Sequence, residues 1–229
     1  MVRKDKQSGA GGSETLADRA YKILENQIVK LDIEPGSVWS EKELSELAGI
    51  GRMPVREAIK KLETAHLVTI MPRRGIIINE IRIEDMLLQM EVRRLLENLI
   101  ARRASRYATE EQRAKLRTLA KDYEEATIRK DSEKAVDVDD QFNTLIAKAS
   151  KNSYATSALA PLHASARRLY YTQYKVQPEM VNKINYAHID LMKAVANGNE
   201  DKAAECSDYL LDCVEKLYME KARNFIFKP

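Results

Sequence analysis

Two arginines one helical turn apart, Arg52 and Arg56, stand in the stretch RMPVREAIKKLE, and two more, Arg73 and Arg74, stand together in PRRG. Guanidinium groups are planar, permanently charged and able to give two parallel hydrogen bonds. A close pair on one helix face therefore suits guanine edges or phosphate oxygens. Further along, Asp139 and Asn143 are four residues apart, His188 sits among apolar neighbours in YAHIDLMKAV, Tyr209 follows, and Arg93 lies in EVRRLLE. These are polar side chains at positions whose spacing points inward, as in a buried binding site. Each also has a plain structural reading: His188 as a satisfied core histidine, Asn143 as a buried hydrogen bonder, Arg93 as the partner of Glu97 one turn away. The chain has no Gly-rich phosphate loop, nucleophile elbow, HExxH or CxxC pair, which argues against an enzyme.

The elements that must hold these side chains follow from periodicity. Apolar residues from Leu16 to Leu31 recur at three and four, so a helix starts near Thr15, and Pro35-Gly36 breaks the chain after it. Ser40 and Glu43 form a capping box that starts a second helix through Leu44 and Leu47, and Gly49 ends it. Pro54 fits only the first turn of a third helix, whose Val55, Ala58, Ile59 and Leu62 make one inward stripe and leave Arg52, Arg56 and Lys60 elsewhere. LVTIMPRRGIIINEI then reads as a two-stranded hairpin with a basic tip. Together these elements make a winged helix-turn-helix over residues 15–79. Its third helix suits a DNA major groove, and Arg73, Arg74 and Gly75 suit phosphates or the minor groove. Lys42, early in the second helix, suits a phosphate contact.

Residues 80–229 carry no strand signal. The spacing predicts helices over 84–107, 109–130, 132–150, 153–175, 178–197 and 199–224, with Thr109, Ser132 and Asn199 as N-caps and with Pro161 kinking or splitting the fourth. Such a series makes an all-α antiparallel bundle, so the fold class is mainly α in two units. Tyr170, Tyr171 and Tyr174, with Arg167 and Arg168, read either as pocket lining or as a dimer seam. The polar, Gly/Ser-rich start up to residue 14 reads as a disordered leader.

Charge localises the DNA reading. The formal net charge is only +3, but residues 52–75 hold six Lys and Arg against two Asp and Glu. The two cysteines, Cys206 and Cys213, would lie about 10 Å apart along a helix, too far for a disulfide. That suits a reducing cytosol. No apolar run approaches a membrane span.

SEKELSELAGIGRMPVREAIKKLETAHLVTIMPRRGIIINEI resembles the winged helix-turn-helix of the GntR family of bacterial transcription regulators. The segment opening with MEVRRLLENLIARRA resembles the FCD ligand-binding domain of the FadR-like branch of that family. The resemblance spans residues 15–224 and implies that Lys42, Arg52, Arg56 and Gly75 occupy DNA-contacting positions. Where the family usually has Ser and Thr around the first arginine, this chain has Gly51 and Met53, so Met53 joins the DNA-facing set without a hydroxyl. The resemblance also implies a homodimer reading a palindromic operator, control by a small carboxylate effector gripped by Arg93, and action as a repressor in the bacterial cytoplasm. Many FCD domains bind a divalent metal. Here Asp139 and His188 match that pattern, whereas Asn143 and Tyr209 replace histidines, so the expectation is a metal-free pocket in which the same side chains meet the effector. Alternatives are a metal such as zinc held by Asp139 and His188, a sequence-indifferent architectural DNA binder, and a bundle enzyme.

Overall fold

A computed structural model describes residues 14–173 and 176–226, with side chains as far as residue 220. The polar start up to residue 13 and Tyr174 lie outside the described residues. The first unit comprises α1 (Leu16–Val29), β1 (Val38–Trp39), α2 (Glu41–Ala48), α3 (Arg52–Thr64), β2 (Val68–Met71) and β3 (Gly75–Ile78). Thr15 and Asp18 cap α1 reciprocally, and Ser40 and Glu43 do the same for α2. Gly49 closes α2 at φ 62°, and α3 starts at Arg52 with Pro54 in its first turn. Val55, Ala58, Ile59 and Leu62 of α3 are fully buried against Ala20, Leu24 and Ile28 of α1. Three nearly solvent-free aliphatic side chains stabilise by about 1.5–3 kcal/mol each, which holds α3 rigidly from behind.

The hairpin gains a strand that periodicity missed. β1 pairs with β3, and β3 with β2, all antiparallel, in the order β1-β3-β2. Two residues are too short to show a period, so Val38-Trp39 read as the tail of a turn. The strand explains Gly75. It lies at φ 114°, and a Cβ there would sit 2.8 Å from the Trp39 carbonyl oxygen. Only glycine lets β1 approach while the chain leaves the tip.

The second unit consists of α4 (Ile83–Tyr107), α5 (Glu110–Arg129), α6 (Ser132–Ser150), α7 (Ser153–Gln173), α8 (Pro178–Ala196) and α9 (Glu200–Ile226). Asp131, not Ser132, caps α6, accepting from the Lys134 amide at 3.0 Å; the carboxylate precedes the serine and takes the cap. Asn199 accepts from the Lys202 amide and so caps α9. Pro161 does not split α7, which runs unbroken from Ser153 to Gln173. Among the described residues no helix is long and apolar enough to cross a membrane, and both cysteines are buried free thiols.

Each unit has its own hydrophobic core, and α7 touches both. Ala164 is wholly buried in the core of the first unit, where Tyr171 also packs. Leu159 and Leu169 belong to the core of the bundle. Arg167 bridges Glu25 of α1 at 3.4 Å and Asp140 of α6 at 2.8 Å. Arg168 donates to the carbonyl of Asn79, the residue after β3.

Candidate functional site

Arg52 is the first residue of α3, and its side chain lies on the surface. Arg56 follows one turn later, also exposed, but it is not free. Its Nε and Nη2 donate to both oxygens of Glu41 in the first turn of α2, at 2.9 and 2.8 Å. Packing α2 across α3 brings an acidic first turn against the arginine. The pair is half open to solvent, where an ion pair contributes little. Met53 is 67% exposed beside them. Gly51 caps α3 without a side-chain hydrogen bond, so the first N–H groups of the helix lack a side-chain acceptor.

Arg73 and Arg74 are exposed at the turn between β2 and β3, with Arg73 at φ 63°. Lys42 is exposed on α2, with a loose 3.7 Å contact to Glu46. Lys60 and Lys61, further along α3, pair with Glu57 and Asp18.

The bundle holds a narrow cavity of about 70 Å³. Arg93, Asp139, Asn143 and His188 all line it, as their inward spacing implied. Tyr209 does not. It is 48% exposed on the outer side of α9, while Leu210, Val214, Leu217 and Tyr218 line the cavity. One residue along a helix turns a side chain by about 100°, which carries Tyr209 off the inward face.

The polar groups form a connected set. Arg93 Nε donates to Glu97 at 2.7 Å, and Nη1 reaches the Tyr218 hydroxyl at 3.5 Å. Burial works against the Glu97 carboxylate, but Arg93 and His163 outweigh it and hold it down at about 2. His188 Nε2 lies 3.1 Å from Asp139 Oδ1, and its Nδ1 lies 3.0 Å from the Ile184 carbonyl. Both ring nitrogens face oxygen acceptors, which only the doubly protonated imidazole satisfies. Burial opposes that charge, yet Asp139 and the Ile184 carbonyl raise the His188 pKa, while His188 in turn lowers that of Asp139 against its own burial. The Asn143 amide donates to Asp139 Oδ2 at 3.1 Å. The Tyr123 ring stacks on the imidazolium with centroids 5.5 Å apart.

These residues do not fit a metal shell. The Asp139 oxygens face His188 and Asn143, the His188 nitrogens face oxygens, and Tyr209 points outward. Among the described residues no three His, Cys, Asp or Glu side chains stand together as ligands.

Comparison with known proteins supplies the lineage. The profile described as "Bacterial regulatory proteins, gntR family" matches residues 16–78, and the profile "FCD domain" matches residues 89–212. The chain belongs to the GntR family and carries an FCD domain. This GntR regulator is 30% identical over 191 residues to the HTH-type transcriptional repressor RspR of Escherichia coli K12, with 82% of each chain covered. Its fold resembles that of E. coli McbR/YncC, with TM-score 0.77 at 18% identity, covering 91% of this chain and 99% of that one. It also resembles a GntR regulator from Rhodococcus sp. RHA1, with TM-score 0.67 at 20% identity, covering 89% and 97%. The family and these relatives are transcription regulators, not enzymes.

Within the helical bundle, four cavity groups escaped sequence reasoning as site residues. Glu97 was visible only as a partner for Arg93. His163 was hidden by the kink expected of Pro161 two residues earlier, although it is one of only three histidines. Tyr123 and Tyr218 lie on apolar stripes and read as packing; their only signal was a hydroxyl on an inward face.

Proposed function

We propose that this GntR regulator is a dimeric, effector-controlled repressor acting in the bacterial cytoplasm, in which α3 reads a palindromic operator and the bundle cavity takes a small carboxylate. The repressor reading follows the likeness to RspR of E. coli, an HTH-type transcriptional repressor. In the operator complex Arg52 and Arg56 meet guanine edges. Glu41 holds Arg56 extended until DNA replaces it, an exchange that costs little because the pair is solvated. Met53 packs on a thymine methyl, and a phosphate oxygen takes the open amides at the start of α3. Arg73 and Arg74 contact the flanking backbone, as does Lys42.

The dimer follows from α4. Leu88, Val92, Leu95 and Leu99 stand exposed at spacings of four, three and four, with Leu95 at 76%. That is the seam of a two-helix interface, and a second copy of the same stripe covers it.

The observation that carries effector control is the position of α7. Its Leu159, His163, Ala166, Arg167, Leu169 and Tyr170 wall the cavity, and its next faces pack on the DNA-binding unit. Arg93, Arg167 and protonated His188 offer cationic donors to an anion, each in exchange for the carboxylates it now meets, Glu97 for Arg93, Glu25 and Asp140 for Arg167, and Asp139 for His188. At about 70 Å³ the narrow cavity admits a few waters or a carboxylate-sized group. A larger acid must move a wall, and moving α7 shifts the DNA-binding unit. Such a ligand alters operator affinity only as far as it prefers one placement of α7 over another.

A thermal-shift screen of small carboxylic acids, followed by operator titration with any hit, tests this. A hit is expected to raise the midpoint of the wild type, to lose that effect in His188→Gln, and to weaken operator binding. A stabilising acid indifferent to His188→Gln would remove the cavity from the account.

A further inference from the structure

Between the two units lies a second, larger space. An open cleft of about 690 Å³ runs between the wing, the joint at residues 79–82, the start of α4 and one face of α7. Its volume is that of a metabolite site, unlike the small bundle cavity. Its walls combine apolar side chains, among them Ile81, Met86 and Leu162, with one unusual cation.

That cation is Arg168. It is 3% exposed, and only Nη1 has a partner, the Asn79 carbonyl at 2.5 Å. Nε and Nη2 are closed off from solvent and meet no acceptor among the described residues. Burial lowers its pKa to about 10. Glu80 and Asp85 line the same cleft without pairing with it; Asp85 instead lies near Arg82. A buried, half-unsatisfied guanidinium is costly, and such groups normally have an anion. This unpartnered edge is also the one that grips carboxylates. Arg56 uses the same Nε and Nη2 to clasp both oxygens of Glu41.

We infer that the interdomain cleft is a second ligand site, distinct from the bundle cavity, in which Arg168 receives a small oxyanion, a carboxylate or a phosphate, through Nε and Nη2. The two donors are walled off, so the anion reaches them by displacing the joint. Asn79 is the piece that must give. Its backbone carbonyl accepts from Arg168, its amide donates to the Leu67 carbonyl, and its side chain binds the His66 carbonyl and Thr69. A ligand on Arg168 therefore acts on the base of the wing directly, without passing through the bundle.

The test is hydrogen exchange of the full chain, read peptide by peptide, with sodium phosphate or sodium acetate against sodium chloride at equal ionic strength. The expected result is a saturable change confined to peptides spanning residues 66–69, 79–89 and 162–170. It should weaken at least tenfold in Arg168→Lys, which keeps the charge but loses the fork, and persist in His188→Gln. A response to phosphate alone, or to acetate alone, identifies which oxyanion the site takes. If Arg168→Lys does not fold, the wild-type map still decides. Absence of any response beyond chloride in the wild type overturns the site. So does a response unchanged in Arg168→Lys, and so does one abolished by His188→Gln, which would belong to the bundle cavity.

Discussion

At the scale of single residues, the bundle is held by two buried ion pairs whose removal gives different signatures. Arg93 and Glu97 are nearly closed off from water, so Glu97→Ala strands a guanidinium. Stranding one charge of a buried pair costs about 3–5 kcal/mol. For a chain of this size that lowers the thermal midpoint by roughly 10 °C. Replacing both residues with methionine should cost less than the single change, since no charge is left behind. Calorimetry of the two variants checks the order.

His188 and Asp139 respond to pH. The folded-state pKa of His188 is raised, so its contribution is fully present below about 6.5 and fades as pH rises through the folded value. Asp139 is depressed, so its contribution is present above about 3.8 and fades as pH falls. Thermal midpoints of the wild type measured upward from pH 6 should fall relative to His188→Gln. Parallel curves would mean that the imidazole is neutral throughout.

At the scale of elements, α4 and α7 carry the account. Val92→Glu with Leu95→Glu places carboxylates in the exposed stripe. Light scattering should then report a monomer whose circular dichroism matches the wild type. A persistent dimer would move the seam elsewhere.

The helices were legible because caps and period agree: Ser40 with Glu43, Thr109 with Gln112, and the α3 stripe all point one way. β1 was not legible, because two residues carry no period. The role of α7 was not legible either. Its sequence, SYATSALAPLHASARRLYYTQ, serves three surfaces at once, so no single face stands out, and its proline suggested a break. In the site, Arg93, Asp139, Asn143 and His188 could be found because polar residues stood at inward positions. Tyr209 was misassigned because a shift of one residue on α9 turns a side chain outward.

For the whole molecule, the bundle cavity, the interdomain cleft and the DNA-binding unit all meet α7, so under the proposed function operator affinity depends on where α7 and the joint at Asn79 rest. That has meaning only if α3 is the reader. The direct measurement is affinity, at one fixed salt concentration, for an operator selected from random duplexes and for its scrambled counterpart, using the wild type and the Arg52→Ala, Arg56→Ala chain. The account predicts a strong preference of the wild type for the selected site. It also predicts a loss of roughly a hundredfold or more in the double variant, from two guanine contacts at about 1–3 kcal/mol each, with binding to the scrambled duplex changed far less. Undiminished operator affinity in the double variant would contradict it.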